Sequence, residues 1–208
     1  MNIAAIVLAA GQSKRMGRPK MTLPWQGTTV IGRVILTLQQ AGLKDILVIT
    51  GGARQEVEDA LKDWPLRLLF NPHFAEGEMA QSLQLGLSSL DEGVAAALIV
   101  LGDQPQIEVS VVQAVIAAFW ECHPLLVIPS FQRRRGHPWL AARPLWPEIL
   151  ALQPPATPRD FLDAHQTQIH YLSVETDSIL QDLDTPQDYQ RYGIFPLALL
   201  PILCYFLG

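Results

Sequence analysis

Hydrophobic residues recur along this chain in two alternating rhythms. Residues 3–8, 46–50, 66–70, 96–101, 125–129 and 169–174 are short runs that are apolar almost throughout, which predicts strands buried on both faces. Between the first two runs, Val30, Ile31, Val34, Leu38 and Ala41 recur at helical spacing, and Gly42 is placed to stop that helix. Residues 55–61, 82–90 and 109–119 carry three further helical patterns. Apolar strands separated by helices predict an α/β fold in three layers, with a mostly parallel central sheet. Ligands in such folds bind beyond the carboxyl ends of the strands.

Two segments break the alternation. Residues 133–158 are rich in proline and arginine and read as an insertion that shapes a second substrate's pocket. Residues 194–208 are almost wholly apolar but include Pro196 and Pro201. That run is shorter than the roughly 20 residues of a membrane-spanning helix. It has neither a polar face nor a basic flank, so packing on the domain or on a partner is expected ahead of membrane contact. The expected organisation is one domain over residues 1–192 and a tail of unknown role over 193–208. The amino-terminal run reads as a core strand and not as a secretory leader.

Of the 208 residues, 49% are apolar and 17% charged, which excludes a disordered chain. The net charge of −5 argues against a nucleic-acid binder. Positive charge is concentrated in the loop after the first strand and at Arg133-Arg134-Arg135, which suits a small anionic ligand. Cys122 and Cys204 form no metal or disulfide framework, and the histidines form no HExxH pair.

Leu8-Ala9-Ala10-Gly11-Gln12-Ser13-Lys14-Arg15-Met16-Gly17-Arg18-Pro19-Lys20 leaves the first strand through a glycine-containing turn with Arg15, Arg18 and Lys20 beside it. Consecutive N–H groups in such a turn form an anion-binding concavity. It is not a P-loop, because five residues separate Gly11 from Gly17 and Arg18-Pro19 follows. The dinucleotide fingerprint GxGxxG is also absent. Asp103, in Leu101-Gly102-Asp103-Gln104-Pro105, follows the most hydrophobic strand, with a glycine before it to clear its way to a ligand. Near a triphosphate its task is to hold Mg²⁺; otherwise it caps a turn. Ser82, after Asn71-Pro72 and Gly77, reads as a helix N-cap and as the anchor of a loop beside the base or second substrate. Arg135-Gly136-His137-Pro138 is either a phosphate-binding loop or a solvated basic turn. Asp184 precedes Thr185 and Pro186, which read as the cap and first residue of a last helix, and is either a second metal ligand or part of that turn.

Taken in order, LAAGQSKRMGRPK, NPHFAEGEMAQSLQLGL, LGDQP, RRGHP and DLDTPQDY resemble the landmarks of the molybdenum cofactor cytidylyltransferases, a branch of the MobA-like NTP transferases. The resemblance runs from Met1 to about Tyr192. It departs from the pattern at Ala80 and Gln81, where small hydroxyl residues are common, and in the tail. The resemblance implies a Rossmann-like nucleotidyltransferase fold and a cytoplasmic enzyme that moves CMP from CTP to molybdopterin. Leu8, Ala9, Ala10 and Gly11 would lie along base and ribose, Gln12, Ser13 and Arg15 along the phosphates, and Gly77 and Ser82 beside the nucleotide. Lys20, Arg15 and Asp103 would be catalytic. Mg²⁺ would be held by Asp103 with Asp184. Arg135, Gly136 and His137 would bind the acceptor, whose terminal phosphate attacks the α-phosphorus. A molybdoenzyme is implied as recipient of the product. GTP or another phosphorylated acceptor on the same fold remains an alternative, as does a non-catalytic protein that delivers the cofactor.

Overall fold

The first strand, β1 (Asn2–Ala9), sends alternate residues into two cores. Ile3, Ala5, Val7 and Ala9 enter one, and Ala4, Ile6 and Leu8 enter the other. A period of two does this in any strand covered on both faces. The structure is a computed structural model that describes residues 2–76 and 79–193. A short ribbon, β2 (Pro24–Trp25) and β3 (Thr28–Thr29), leads into α1 (Val30–Gln40). Then come β4 (Asp45–Thr50), α2 (Arg54–Leu61), β5 (Arg67–Phe70), α3 (Met79–Ser88), β6 (Val94–Leu101) and α4 (Val109–Cys122). The second half holds β7 (Leu126–Phe131), β8 (Arg134–Arg135), β9 (Trp139–Ala142), α5 (Trp146–Leu150), α6 (Pro158–Ala164), β10 (Ile169–Ser173) and α7 (Pro186–Tyr192).

The main sheet has the order β10-β7-β9-β6-β1-β4-β5, with β8 paired to β7. β1 runs parallel to both β4 and β6, β4 to β5, and β7 to β10. Apolar residues of α1, α2 and α4 fill the core on one face, and those of α3, α5 and α6 fill the core on the other. The three-layer, mostly parallel α/β architecture expected from the apolar runs is therefore present. Gly42 adopts a left-handed φ of 97° just after α1, as its predicted stop requires. Thr185 caps α7 in a capping box with Asp188, and Pro186 stands at the first helical position.

Two expectations need correction. The segment after Arg133 is not an insertion outside the alternation, because Trp139–Ala142 forms β9 inside the sheet, antiparallel to both β6 and β7. All four of its residues are buried. A four-residue strand behind Pro138 is too short to show a period. The third predicted helix starts at Met79, so Ser82 lies within the first turn of α3 and is not its cap. Residues 194–208 of the expected tail and Gly77 lie outside the described residues.

β9 carries a functional consequence. Trp139 pairs with Ile99 and Ala142 with Ala96, so the amino end of β9 lies near the carboxyl end of β6. The 132–138 segment is thereby delivered to the same edge of the sheet as the loop after β1. Gly136 fixes it there: its N–H donates to Pro129 O at 2.9 Å, and the His137 N–H donates to Ile179 O at 3.1 Å. A side chain on Gly136 would collide with the Ile179 carbonyl oxygen and bring a methyl within 2.6 Å of Ile179 Cβ. Overpacking of this kind costs about 1–3 kcal/mol. Gly136→Ala is expected to lose about that much in equilibrium urea unfolding; an unchanged midpoint would show that the 177–180 turn moves aside freely.

Candidate active site

Three loops meet at the carboxyl edge of the sheet. The first leaves β1 at Ala10 and turns at Ser13, which holds a left-handed φ of 52°. The Ser13 carbonyl accepts from Met16 N at 3.0 Å and Gly17 N at 3.2 Å, and its Oγ accepts from the Lys20 N–H at 3.2 Å. One serine thus sets both the turn and the start of the segment bearing Lys20. The loop after β4 braces the same backbone, since Gly52 N–H donates to Ala10 O at 3.1 Å. Gly102 follows β6, and its N–H donates to Leu8 O at 3.0 Å. A Cβ there would lie 3.1 Å from that oxygen and 3.0 Å from Ile31 Cδ1. Gly102 therefore lets β6 close onto β1 and α1, a different role from the clear path to ligand read in the sequence. The last segment docks on the next residue, with Leu183 N–H donating to Asp103 O at 3.1 Å.

These backbone contacts assemble a charge cluster. Lys20 Nζ bridges Asp103 Oδ2 and, at 3.1 Å, Asp184 Oδ1. Arg15 Nη2 reaches the other Asp184 oxygen at 2.8 Å. The Lys20 side chain is only 10% exposed, whereas that of Arg15 is 69% exposed. The first pair is therefore protected from water and the second is a weak surface contact. Burial pulls the Lys20 pKa down, but the charges and hydrogen bonds of Asp103 and Asp184 outweigh it and leave the ammonium above its ordinary value. Nothing in the sequence distinguishes Asp182 from its acidic neighbours, yet it lines the same cavity. Desolvation and then the Asp103 charge push its carboxyl above the usual range, against the Gln104 Nε2 hydrogen bond at 2.5 Å. Gln104 is itself buried after β6, a placement that only the packing reveals.

The cavity over this cluster has a volume of about 500 Å³. Leu8, Ala10, Gly11, Gln12, Ser13, Arg15, Lys20, Ser82, Asp103 and Asp184 all line it, together with Phe74, Ala75 and Met79. Ala9 does not: its side chain lies in the core at 1% exposure. Ser82 is buried and accepts from Asn71 Nδ2 at 2.9 Å, while Asn71 Oδ1 accepts from His73 N at 2.9 Å. Ser82 thus anchors the loop after β5, by a route other than capping.

Arg135, Gly136 and His137 line a second cavity of about 870 Å³ beside Arg133, Arg134 and Arg159. Trp139, Ile128 and Leu162 give it an apolar wall. Met79 lines both cavities. Arg135 is already engaged, with Nη1 2.6 Å from Asp163 Oδ1 and the guanidinium over the Tyr171 ring. His137 is partly buried, and desolvation lowers its pKa to about 4. It meets a ligand as a neutral imidazole, so the charge of this cavity comes from its arginines.

A divalent metal fits the first cavity on chemical grounds. Asp103 and Asp184 both direct an oxygen at one cationic nitrogen, so their carboxylates converge on a single cation position. Mg²⁺ takes one or two carboxylates plus phosphate oxygens and needs no larger protein cage. Among the described residues, no cluster of three or more His, Cys, Asp or Glu could hold a metal, so an ion here would depend on oxygens from a bound phosphate. The described residues also contain no helix long and apolar enough to cross a membrane.

Comparison with known proteins points the same way. Residues 5–169 match the MobA-like NTP transferase domain. Over 190 residues the chain is 26% identical to the molybdenum cofactor cytidylyltransferase of Escherichia coli K12, covering 90% of this chain and 93% of that one. Over 202 residues it is 26% identical to nicotine blue oxidoreductase of Paenarthrobacter nicotinovorans, covering 91% and 95%. The crystal structure of Rv0371c from Mycobacterium tuberculosis H37Rv matches with a TM-score of 0.82 at 27% identity, over 92% of this chain and 97% of that one. A complex of Rv0371c with manganese matches at 0.76 and 25% identity, with the same coverage.

The state of His137 can be read directly. Its folded pKa of about 4 lies below the ordinary 6.5, so the unfolded chain takes up this proton first. The associated stability is complete above about 6.5 and drains away as pH falls through about 4. An NMR titration of the imidazole should therefore show a midpoint near 4; a midpoint in the ordinary histidine range would contradict the desolvated placement.

Proposed function

We propose that this chain, which belongs to the MobA-like NTP transferase domain family, transfers CMP from CTP to the terminal phosphate of a molybdopterin-type cofactor and releases pyrophosphate. One observation carries the reading. Lys20, Asp103, Asp184 and Arg15 form a charge cluster in one cavity, and an arginine-lined cavity with an apolar wall shares Met79 with it. The first suits a nucleoside triphosphate, and the second suits a flat ring system that carries a phosphate.

In this reading Leu8, Ala10 and Gly11 line the nucleoside, and Gln12, Ser13 and Arg15 meet the phosphates. The Lys20 ammonium neutralises charge that develops on phosphate oxygens during displacement. Mg²⁺ would be held by Asp103 and Asp184, and when bound it supplies Lewis-acid neutralisation of those oxygens. That Rv0371c has been solved as a complex with manganese supports a divalent ion in this reading. Arg133, Arg134 and Arg159 hold the acceptor phosphate, and neutral His137 offers a hydrogen bond without competing for that charge. A phosphate monoester has a second pKa of about 6 and arrives already ionised. The attack therefore needs no general base, and the chain's work is alignment and charge neutralisation.

CTP as donor and molybdopterin as acceptor rest on the RRGHP and LGDQP segments and on the Escherichia coli relative's name.

Lys20→Ala and Asp103→Ala are each expected to lower turnover by about a hundredfold or more while the fold persists. Pyrophosphate release by variants of verified circular dichroism checks this, and near-wild-type rates in both would remove the assignment. A thermal-shift panel of the four NTPs with Mg²⁺ should show the largest stabilisation with CTP. A GTP preference would replace the donor, and no response to any of the four would favour a cofactor-delivery protein.

A further inference from the structure

The position of the Lys20 ammonium has a meaning beyond its role at phosphates. Nζ stands between Asp103 Oδ2 and Asp184 Oδ1, the two oxygens that the transfer reading gives to a divalent ion. Asp184 is also held through its second oxygen by Arg15 at 2.8 Å. Both oxygens of one candidate ligand, and one of the other, are thus committed to cations of the chain itself. We propose that Lys20 serves two partners in turn: without nucleotide its ammonium occupies the place that the divalent ion would take, and nucleotide phosphates then draw it off the carboxylates.

The physical basis is charge exchange at fixed geometry. Two carboxylates facing each other without a cation repel, and a buried ammonium compensates them. A divalent ion added while Nζ stays would sit beside a like charge in a site that water screens poorly. The lysine stem makes the exchange easy, because a flexible four-carbon chain carries a point charge with three donors. Its backbone stays fixed by the Ser13 Oγ hydrogen bond at 3.2 Å while the side chain swings. Gln12, Ser13 and Arg15 line the space into which it would swing. Nucleotide and metal then bind with positive coupling, and metal alone binds weakly.

The inference rests on the transfer reading for the identity of the metal ligands, and its test is independent of turnover. Mn²⁺ is titrated into the full chain without nucleotide and followed by electron paramagnetic resonance, for wild type, Lys20→Met and Lys20→Gln. Each folded Lys20 variant should bind Mn²⁺ roughly tenfold more tightly than wild type, and adding Asp103→Asn should abolish the gain. Wild type alone should bind no tighter than about 1 mM. Equal or weaker binding in the variants, a gain that survives Asp103→Asn, or micromolar binding by wild type overturns the exchange. If CTP-dependent pyrophosphate release stands while the Mn²⁺ gain is missing, only the exchange fails. If the gain is present and no NTP releases pyrophosphate, the transfer reading fails and the exchange survives.

Discussion

Charges withdrawn from water must be matched by other charges or by hydrogen bonds, and the carboxyl edge of this sheet is arranged around that requirement. Lys20 comes from the loop after β1, Asp103 from the end of β6, and Asp184 from the segment before α7. These three segments are separated in sequence by most of the chain, and one ammonium satisfies both carboxylates. The backbone contacts around them serve this closure. Gly102 lets β6 lie on β1, Leu183 donates to the Asp103 carbonyl, and Gly136 admits the turn that leads to Asp182 and Asp184. A third small core of Met16, Leu23, Trp25, Val30, Leu183 and Tyr189 fastens the last segment beside the first loop. Tyr189 Oη reinforces it by donating to Pro24 O at 2.6 Å.

Much of this could be read before the structure, and the reason is physical. Strands of the parallel portion are apolar on both faces, so they stand out as continuous runs, and the residues just after them face the ligand edge by topology alone. That logic brings Lys20, Asp103 and the first loop to one edge of the sheet, where the structure has them line one cavity. It failed where the signal depends on contacts between distant segments. Trp139–Ala142 has too few residues for a period, although burial on both faces makes it a central strand. Ser82 has a capping residue's identity, but its hydroxyl is used by Asn71, eleven positions earlier. Asp182 looked like one acidic residue among several near the carboxyl end, and only its hydrogen bond from buried Gln104 and its place on the cavity wall distinguish it.

The two cavities differ in how they carry charge. The first mixes Lys20 and Arg15 with carboxylates, so its cations are already paired and must be released to act. In the second, Arg135 is paired with Asp163, and desolvation holds the His137 pKa down to about 4. One site therefore exchanges partners, whereas the other presents a positive wall that changes little between neutral and mildly acidic pH.

The reversed strand β9 has a consequence of a different kind. The cavity over Lys20 is built from the loops after β1, β5 and β6 together with the segment before α7, whereas the arginine-lined cavity is built chiefly from the β7–β9 hairpin region and the approach to α6. Met79 is the residue that lines both. The two sets of loops come from different stretches of chain, and the hairpin touches the turn that leads to Asp182 and Asp184 through Gly136 and His137. A displacement of the hairpin therefore pulls on the turn at residues 177–180, and that single stretch of backbone is a mechanical link between the two cavities.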